Sequence, residues 1–248
     1  MIWEACRGAE HIAPLRGILF RLVESQVQIA TLGYVDTLEE QAMLEDLLEA
    51  VKPPCPTVSG DYHYLLKTPF RYPPLPWGSR FGRSFEPGIF YGGSSVGVSL
   101  AESAFYRFIF WSSMDGAPVK SQIRTEHTLF SVGYDSPRGV QLQTSAFAKY
   151  QATLKDSAHY LPCQQLGSAM RTAGVEAFEY PSARDPAQGN GVGLFSPAAF
   201  AQQRPLQMNQ WLCETSASDV AFKQVGSSDV QNFSIGQFLV HGQLPQPA

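Results

Sequence analysis

The chain is short of charge: of its 248 residues only 16% are Asp, Glu, Lys or Arg, and the net charge is −4. Lys and Arg never cluster, so the basic stripe that neutralises nucleic-acid phosphates is missing, and nucleic acid is not expected as a direct partner. No apolar run approaches the roughly 20 residues that cross a bilayer. The opening Met1-Ile2-Trp3-Glu4-Ala5-Cys6-Arg7 has no basic segment followed by an apolar one. The expectation is therefore a cytoplasmic protein without signal peptide or membrane contact.

Cysteine is scarce too. Cys6, Cys55, Cys163 and Cys213 form no C-x-x-C pair, which speaks against a zinc ribbon and a disulfide framework and leaves buried free thiols. His159 and Cys163 stand four apart without further ligands nearby, so no metal is expected. Gly92-Gly93-Ser94-Ser95-Val96-Gly97 lacks the Gly-Lys-Ser/Thr ending of a P-loop, and no G-x-G-x-x-G opens a helix. Any dinucleotide would have to be held outside a Rossmann crevice.

What is present is apolar: 44% hydrophobic residues suffice for a sizeable core. Leu15, Ile18, Leu19, Leu22, Val23 and Ile29 fall near helical spacing and predict an amphipathic helix over 14–30. Thr37 with Glu40 makes a capping-box pattern ahead of Met43, Leu44, Leu47, Leu48 and Val51, a second helix that must stop before Pro53-Pro54-Cys55-Pro56. Residues 1–56 thus read as an N-terminal helical extension, with the main domain over 57–248. The extension's apolar stripes suit docking on the main domain or on a second subunit, which leaves a homodimer open.

Beyond residue 60, short aromatic runs alternate with Gly/Pro turns. They predict strands at Tyr62–Leu66, Ile89–Tyr91, His127–Val132, Gly174–Tyr180, Val220–Val225 and Phe233–Val240. Helices are predicted at about 98–112, 145–155 and 162–172, and a frayed tail over Gln243–Ala248. The fold class is α+β: a mixed β core with flanking helices.

The chemistry concentrates in Phe70-Arg71-Tyr72, Gly78-Ser79-Arg80-Phe81, Phe90-Tyr91 and Leu100-Ala101-Glu102, joined later by Tyr180-Pro181-Ser182-Ala183-Arg184. Arginines offer planar forks for a pyrophosphate, an aromatic ring suits a flat base, and a carboxylate suits a developing sugar cation. Each has a plainer explanation. Arg71 and Arg80 could lie on neighbouring rings, Tyr91 could be core, and Ser182 could bond its own turn. Ser99-x-x-Glu102 reads as a capping box, unless the helix starts near Ser95 and turns Glu102 into a cleft. Gly93-Ser94-Ser95-Val96-Gly97 also matches the nucleophile elbow of a serine hydrolase, with Asp185 or Asp219 and then His241 in order. No preceding strand–helix series builds the parallel sheet which that elbow requires.

In this order, and with Asn190 and Leu194-Phe195, the motifs resemble the RES domain, a bacterial toxin family named for its Arg, Glu and Ser. The likeness runs over roughly residues 60–200. It implies an ADP-ribosyltransferase-like fold and an activity that consumes NAD+ as substrate, with no separate cofactor. It further implies restraint by an Xre-type antitoxin. Arg71 and Arg80 match the family's arginines, with Arg83 competing for the second place. Tyr91, Glu102 and Ser182 match its tyrosine, glutamate and serine; Tyr72 and Asn190 are added contacts. The resemblance makes Glu102, Arg71 and Ser182 the catalytic set, cleaving the nicotinamide–ribose bond. It leaves water, phosphate or a protein side chain as acceptor, hence a glycohydrolase, a phosphorylase or a mono-ADP-ribosyltransferase. A non-catalytic, partner-binding member of the family is the remaining alternative.

Overall fold

The computed structural model describes residues 1–25, 34–54, 60–116 and 120–246. Its centre is a mixed sheet of eight strands: β1 (Ala13–Glu24), β2 (Phe90–Gly93), β3 (Ile123–Gln141), β4 (Ala177–Pro181), β5 (Asn190–Leu194), β6 (Gln207–Thr215), β7 (Asp219–Gln224) and β8 (Val230–Ser234). Pairings β1–β2, β2–β5, β5–β4, β4–β3 and β3–β1 close into a ring, and β6–β7–β8 continue from β3 as a meander. Only β3–β4 is parallel. The expected α+β class holds.

Helices cover this sheet. Short α1 (Ile2–Ala5), α5 (Gln151–Leu154) and α6 (Leu161–Thr172) enclose a core with Phe81, Phe147 and Phe178. Helix α3 (Tyr64–Arg71) packs Leu65, Leu66 and Phe70 against Leu19, Phe90 and Phe130. Helix α4 (Val96–Ser112) lays Leu100, Ala104, Phe105 and Phe108 on Trp211, Val220 and Phe222 of the meander. Burying these aromatic faces is the dominant stabilising contribution, at roughly 25 cal/mol per Å² of apolar surface.

Helix α2 (Leu38–Ala50) follows its expectation: Thr37 is the N-cap, its hydroxyl accepts from the Glu40 amide, and the helix ends before Pro53. Glu40 reaches back one residue further than a standard capping box, to the amide of Asp36.

Other expectations are corrected. Residues 13–24 are strand β1, not a helix; positions 26–30 of that expectation lie outside the described residues. Leu15 and Leu19 enter one core cluster while Phe20 and Leu22 pack against another. A strand whose two faces meet different clusters carries apolar residues at odd and even positions alike, and that pattern matches helical spacing as readily as strand alternation. The N-terminal segment therefore supplies a central strand, registered on β3 from Ala13↔Gly139 to Glu24↔His127, rather than a wholly helical extension. Tyr62–Leu66 is not a strand, because His63 caps α3 there through the Leu65 amide. The strand expected over Phe233–Val240 ends at Ser234 and passes into a single 3₁₀ turn.

Strand β5 goes unrecognised as a strand because it is glycine-rich, and its glycines are needed. A Cβ at Gly191 would lie 2.3 Å from the Tyr180 ring, and one at Gly193 2.2 Å from the Phe178 ring. Strand β6, with its polar alternation, is also missing from the sequence reading.

Candidate active site

A cavity of about 250 Å³ opens between β1, β2 and α4, lined among others by Arg21, Arg80, Tyr91, Glu102, Tyr106 and Arg184. Helix α4 reaches it because Ser95, not Ser99, is the N-cap: the Ser95 hydroxyl accepts from the Val98 amide at 3.3 Å. Glu102 is thereby released from any capping duty. Ser99, Glu102, Ser103 and Tyr106 recur at three- and four-residue steps, one face of a helix, and all four line the cavity. Ser99 fixes that face to the sheet by donating to the Phe20 carbonyl at 2.7 Å.

Both carboxylate oxygens of Glu102 are held. Ser182 Oγ donates to Oε1 at 2.6 Å, and Arg184 Nη1 to Oε2 at 2.9 Å. Burial works to raise the Glu102 carboxyl. Arg184, then Arg80, and the hydrogen bonds from Ser182 and Arg184 outweigh it, leaving the group below the ordinary carboxylate range. Glu102 is thus an anion at neutral pH, with 23% of its side chain still accessible.

Ser182 owes its position to strand β4 and to the turn beyond it. Its hydroxyl accepts from the amides of Arg184 and Asp185 while donating to Glu102. The side chain of Arg184 runs inward over the Phe105 ring, 3.9 Å from guanidinium carbon to centroid, and donates to Tyr160 Oη at 2.6 Å.

Arg80 is 6% exposed and donates Nη1 to the Leu154 carbonyl, while Nη2 is buried with no hydrogen-bond partner among the described residues. The Nε atoms of Arg21 and Arg184 are buried and unpartnered in the same way. Unsatisfied buried donors are costly, about 1–3 kcal/mol each and more when charged. Arg21, Arg80 and Arg184 thus bring three guanidinium groups to one cavity wall.

Tyr91 stands on the wall. Its hydroxyl meets Ser79 Oγ at 2.9 Å and accepts from the Phe81 amide at 3.1 Å, which anchors the turn carrying Arg80. Burial raises this phenol well above its usual range, so it stays neutral.

Of the residues expected from sequence, Arg80, Tyr91, Glu102 and Ser182 come together here. Arg71 does not reach the cavity: it ends α3, pairs with Glu49 and donates to the Pro53 carbonyl. The arginine found in its stead is Arg21, on β1, which donates to the Tyr91 carbonyl and lies 4.9 Å over the Phe90 ring. Burial brings its pKa down to about 10, which leaves it cationic at neutral pH. Arg83 bonds through its amide to Glu86 and is not on the cavity wall, so Arg80 is the site arginine of that pair. Tyr72 is 40% exposed beyond α3. Asn190 opens β5, its carbonyl accepting from the Ser94 amide, and does not line the cavity.

The nucleophile-elbow reading loses its context. Ser95 is engaged as a helix cap, Asp185 accepts from the amides of Ala187 and Gly189, and the sheet around them is antiparallel. No group of three or more His, Cys, Asp or Glu side chains that could hold a metal ion occurs among the described residues, and none of their helices is long and apolar enough to cross a membrane.

Sequence reasoning missed Arg21, Tyr106, Tyr160 and the role of Arg184. Only Arg184 carried a signal, since it closes the Tyr-Pro-Ser-Ala-Arg motif. In comparison with known proteins, the RES domain family model matches residues 55–216, from before α3 to the end of β6. No curated protein matches the chain.

Proposed function

The chain belongs to the RES domain family, and on that premise we propose that it binds NAD+ in the cavity beside α4 and cleaves its nicotinamide–ribose bond. One observation carries this reading: a single ionised carboxylate, Glu102, stands in a cavity whose other charged lining residues are Arg21, Arg80 and Arg184. A dinucleotide has both complements, an anionic pyrophosphate for the arginines and a ribose that turns cationic as nicotinamide departs.

At about 250 Å³ the cavity is smaller than the roughly 300–1,000 Å³ usual for a whole small-molecule site. It suits the nicotinamide riboside end with its phosphates, the adenosine remaining outside. Arg21 and Arg80, guanidinium forks on the cavity wall, would take the pyrophosphate. Tyr91 and Tyr106 would flank the nicotinamide ring. Glu102, immobilised by Ser182 and Arg184, would face the ribose hydroxyls and stabilise the oxocarbenium-like transition state. Preorganised charge in a water-poor site is commonly the largest catalytic contribution, about 3–4 kcal/mol for one well-placed group. In the same position the carboxylate could take a proton from the incoming acceptor.

In this reading the protein is an NAD+-depleting toxin of a toxin–antitoxin pair, restrained by an Xre-type antitoxin, with water or phosphate as acceptor. Incubating it with adenine-labelled NAD+, with and without phosphate and cell lysate, separates the outcomes. Free ADP-ribose or ADP-ribose 1-phosphate supports depletion, and label on a protein band means ADP-ribosyl transfer. Intact NAD+ in every arm overturns the proposal.

A further inference from the structure

We propose that Tyr160 is a positioning residue of this site, holding Arg80 and Arg184 in place around Glu102. The inference rests on the reading of the cavity given above and extends it to a residue outside all the sequence motifs.

Tyr160 stands at the N-cap of α6, where its side chain makes no capping bond. It is 2% exposed, yet it belongs to none of the three apolar clusters of the core. Two guanidinium groups engage it instead. Arg184 Nη2 donates to its hydroxyl oxygen at 2.6 Å, and the Arg80 guanidinium carbon lies 5.4 Å from its ring centroid. The phenol thus offers a lone pair to one cation and a negative ring face to the other. Both cations act on Glu102, and like charges drawn to one carboxylate repel each other. A neutral group interacting favourably with each fixes their separation.

The segment from Leu154 to Tyr160 acts at both ends. Leu154 closes α5, and its carbonyl, an acceptor that a helix terminus leaves free, accepts a hydrogen bond from Arg80 Nη1 at 3.0 Å. A core tyrosine placed only for packing could be phenylalanine at little cost. Here phenylalanine would strip Arg184 Nη2 of its acceptor while keeping the ring under Arg80.

Tyr160→Phe separates these roles. Carboxyl NMR of Glu102 in carbon-13-labelled protein, assigned with Glu102→Gln, reads the titration midpoint without any substrate. The expected result is a midpoint about one pH unit higher in Tyr160→Phe, since a loosened arginine stabilises the carboxylate less. With NAD+, kcat should fall about 10-fold, the size of one lost charge-assisted hydrogen bond, while KM changes less than threefold and the acid limb of the rate profile moves up with the midpoint. An unchanged midpoint in a folded Tyr160→Phe protein overturns the proposal, as does a shifted midpoint with wild-type kcat. If the wild-type protein leaves NAD+ intact, the proposed function fails, and the NMR midpoint alone still decides what Tyr160 does.

Discussion

Ser182 Oγ lies 2.6 Å from Oε1 of Glu102, although 80 residues separate them along the chain. The same hydroxyl accepts two backbone amides of the turn it belongs to. One serine therefore ties the turn after β4 to the helix carrying the carboxylate, and it does so with full hydrogen-bond capacity. The contact links the fold to the chemistry, and the consequences can be measured.

Replacing Glu102 by Gln keeps the side-chain shape and one of the two acceptor oxygens that Ser182 and Arg184 use, but removes the negative charge. We expect NAD+ turnover to fall at least about 10²-fold in a protein that still unfolds cooperatively. Nicotinamide release and a thermal melt are the two measurements. Glu102→Ala should be worse for stability, since it removes the charge opposite buried Arg184 and also both oxygens that accept from Ser182 and Arg184.

Ser182→Ala removes a donor to Glu102 and an acceptor for two amides. A loss of about 1–3 kcal/mol in unfolding free energy is expected, together with a Glu102 midpoint nearer the ordinary range. Urea denaturation and carboxyl NMR report the two effects separately. A variant with wild-type stability and midpoint would show that the hydroxyl is incidental.

Arg21 and Arg71 make a discriminating pair. Arg21→Gln should raise KM for NAD+ about 10-fold or more, because a cationic fork facing the cavity is lost. Arg71→Gln should leave KM within twofold, because Arg71 serves Glu49 and Pro53 away from the cavity. Steady-state kinetics of both variants decides which arginine meets the substrate.

Two buried groups contribute to the acid side of the stability curve. His127, 5% exposed, is brought down from 6.5 to about 4, chiefly by burial and then by Arg107. The unfolded chain binds its proton first, so stability from this residue is intact above pH 6.5 and falls as pH drops towards 4, by about 3 kcal/mol in all. Glu102 has a depressed folded pKa, so its contribution is present above 4.5 and is lost only as pH falls through the lower folded value. Unfolding free energies between pH 4 and 6.5 should flatten in His127→Asn and keep their slope in Glu102→Gln.

Gly167 on α6 sits against the backbone of the arginine-bearing turn: a Cβ there would come 1.8 Å from the Phe81 carbonyl oxygen. Gly167→Ala must push that turn away from the helix. A destabilisation of about 1–3 kcal/mol should accompany a raised KM, since Phe81 is the neighbour of Arg80. Calorimetry and kinetics on one preparation test both.

Much of the site could be read from the chain because its parts are local. Gly78–Phe81, Phe90-Tyr91 and Tyr180–Arg184 each occupy a few consecutive residues. The face Ser99, Glu102, Ser103, Tyr106 follows from helical periodicity once the helix start is known. Two serines compete as that start, and the sequence alone favoured Ser99. Ser95 prevails because Gly93 still belongs to β2, paired with Gly191 across the sheet, so the chain can turn into a helix only just beyond it.

What the amino-acid sequence determined by itself was the α+β class, the capped helix after Thr37, the lack of any Rossmann or P-loop phosphate cradle, and the side-chain inventory of the site. Each follows from short-range sterics, hydrogen bonding or composition. Which arginines enter the cavity was decided by tertiary structure alone. Arg21 reaches the Tyr91 carbonyl across 70 residues of chain because β1 closes the strand ring between β2 and β3. Arg71 is held by Glu49, 22 residues away, at the end of α3 and off the cavity wall. Spacing along a sequence governs contacts within one helix or strand; contacts between elements depend on which strands pair, and a strand such as β1, with apolar residues on both faces, does not announce its partners.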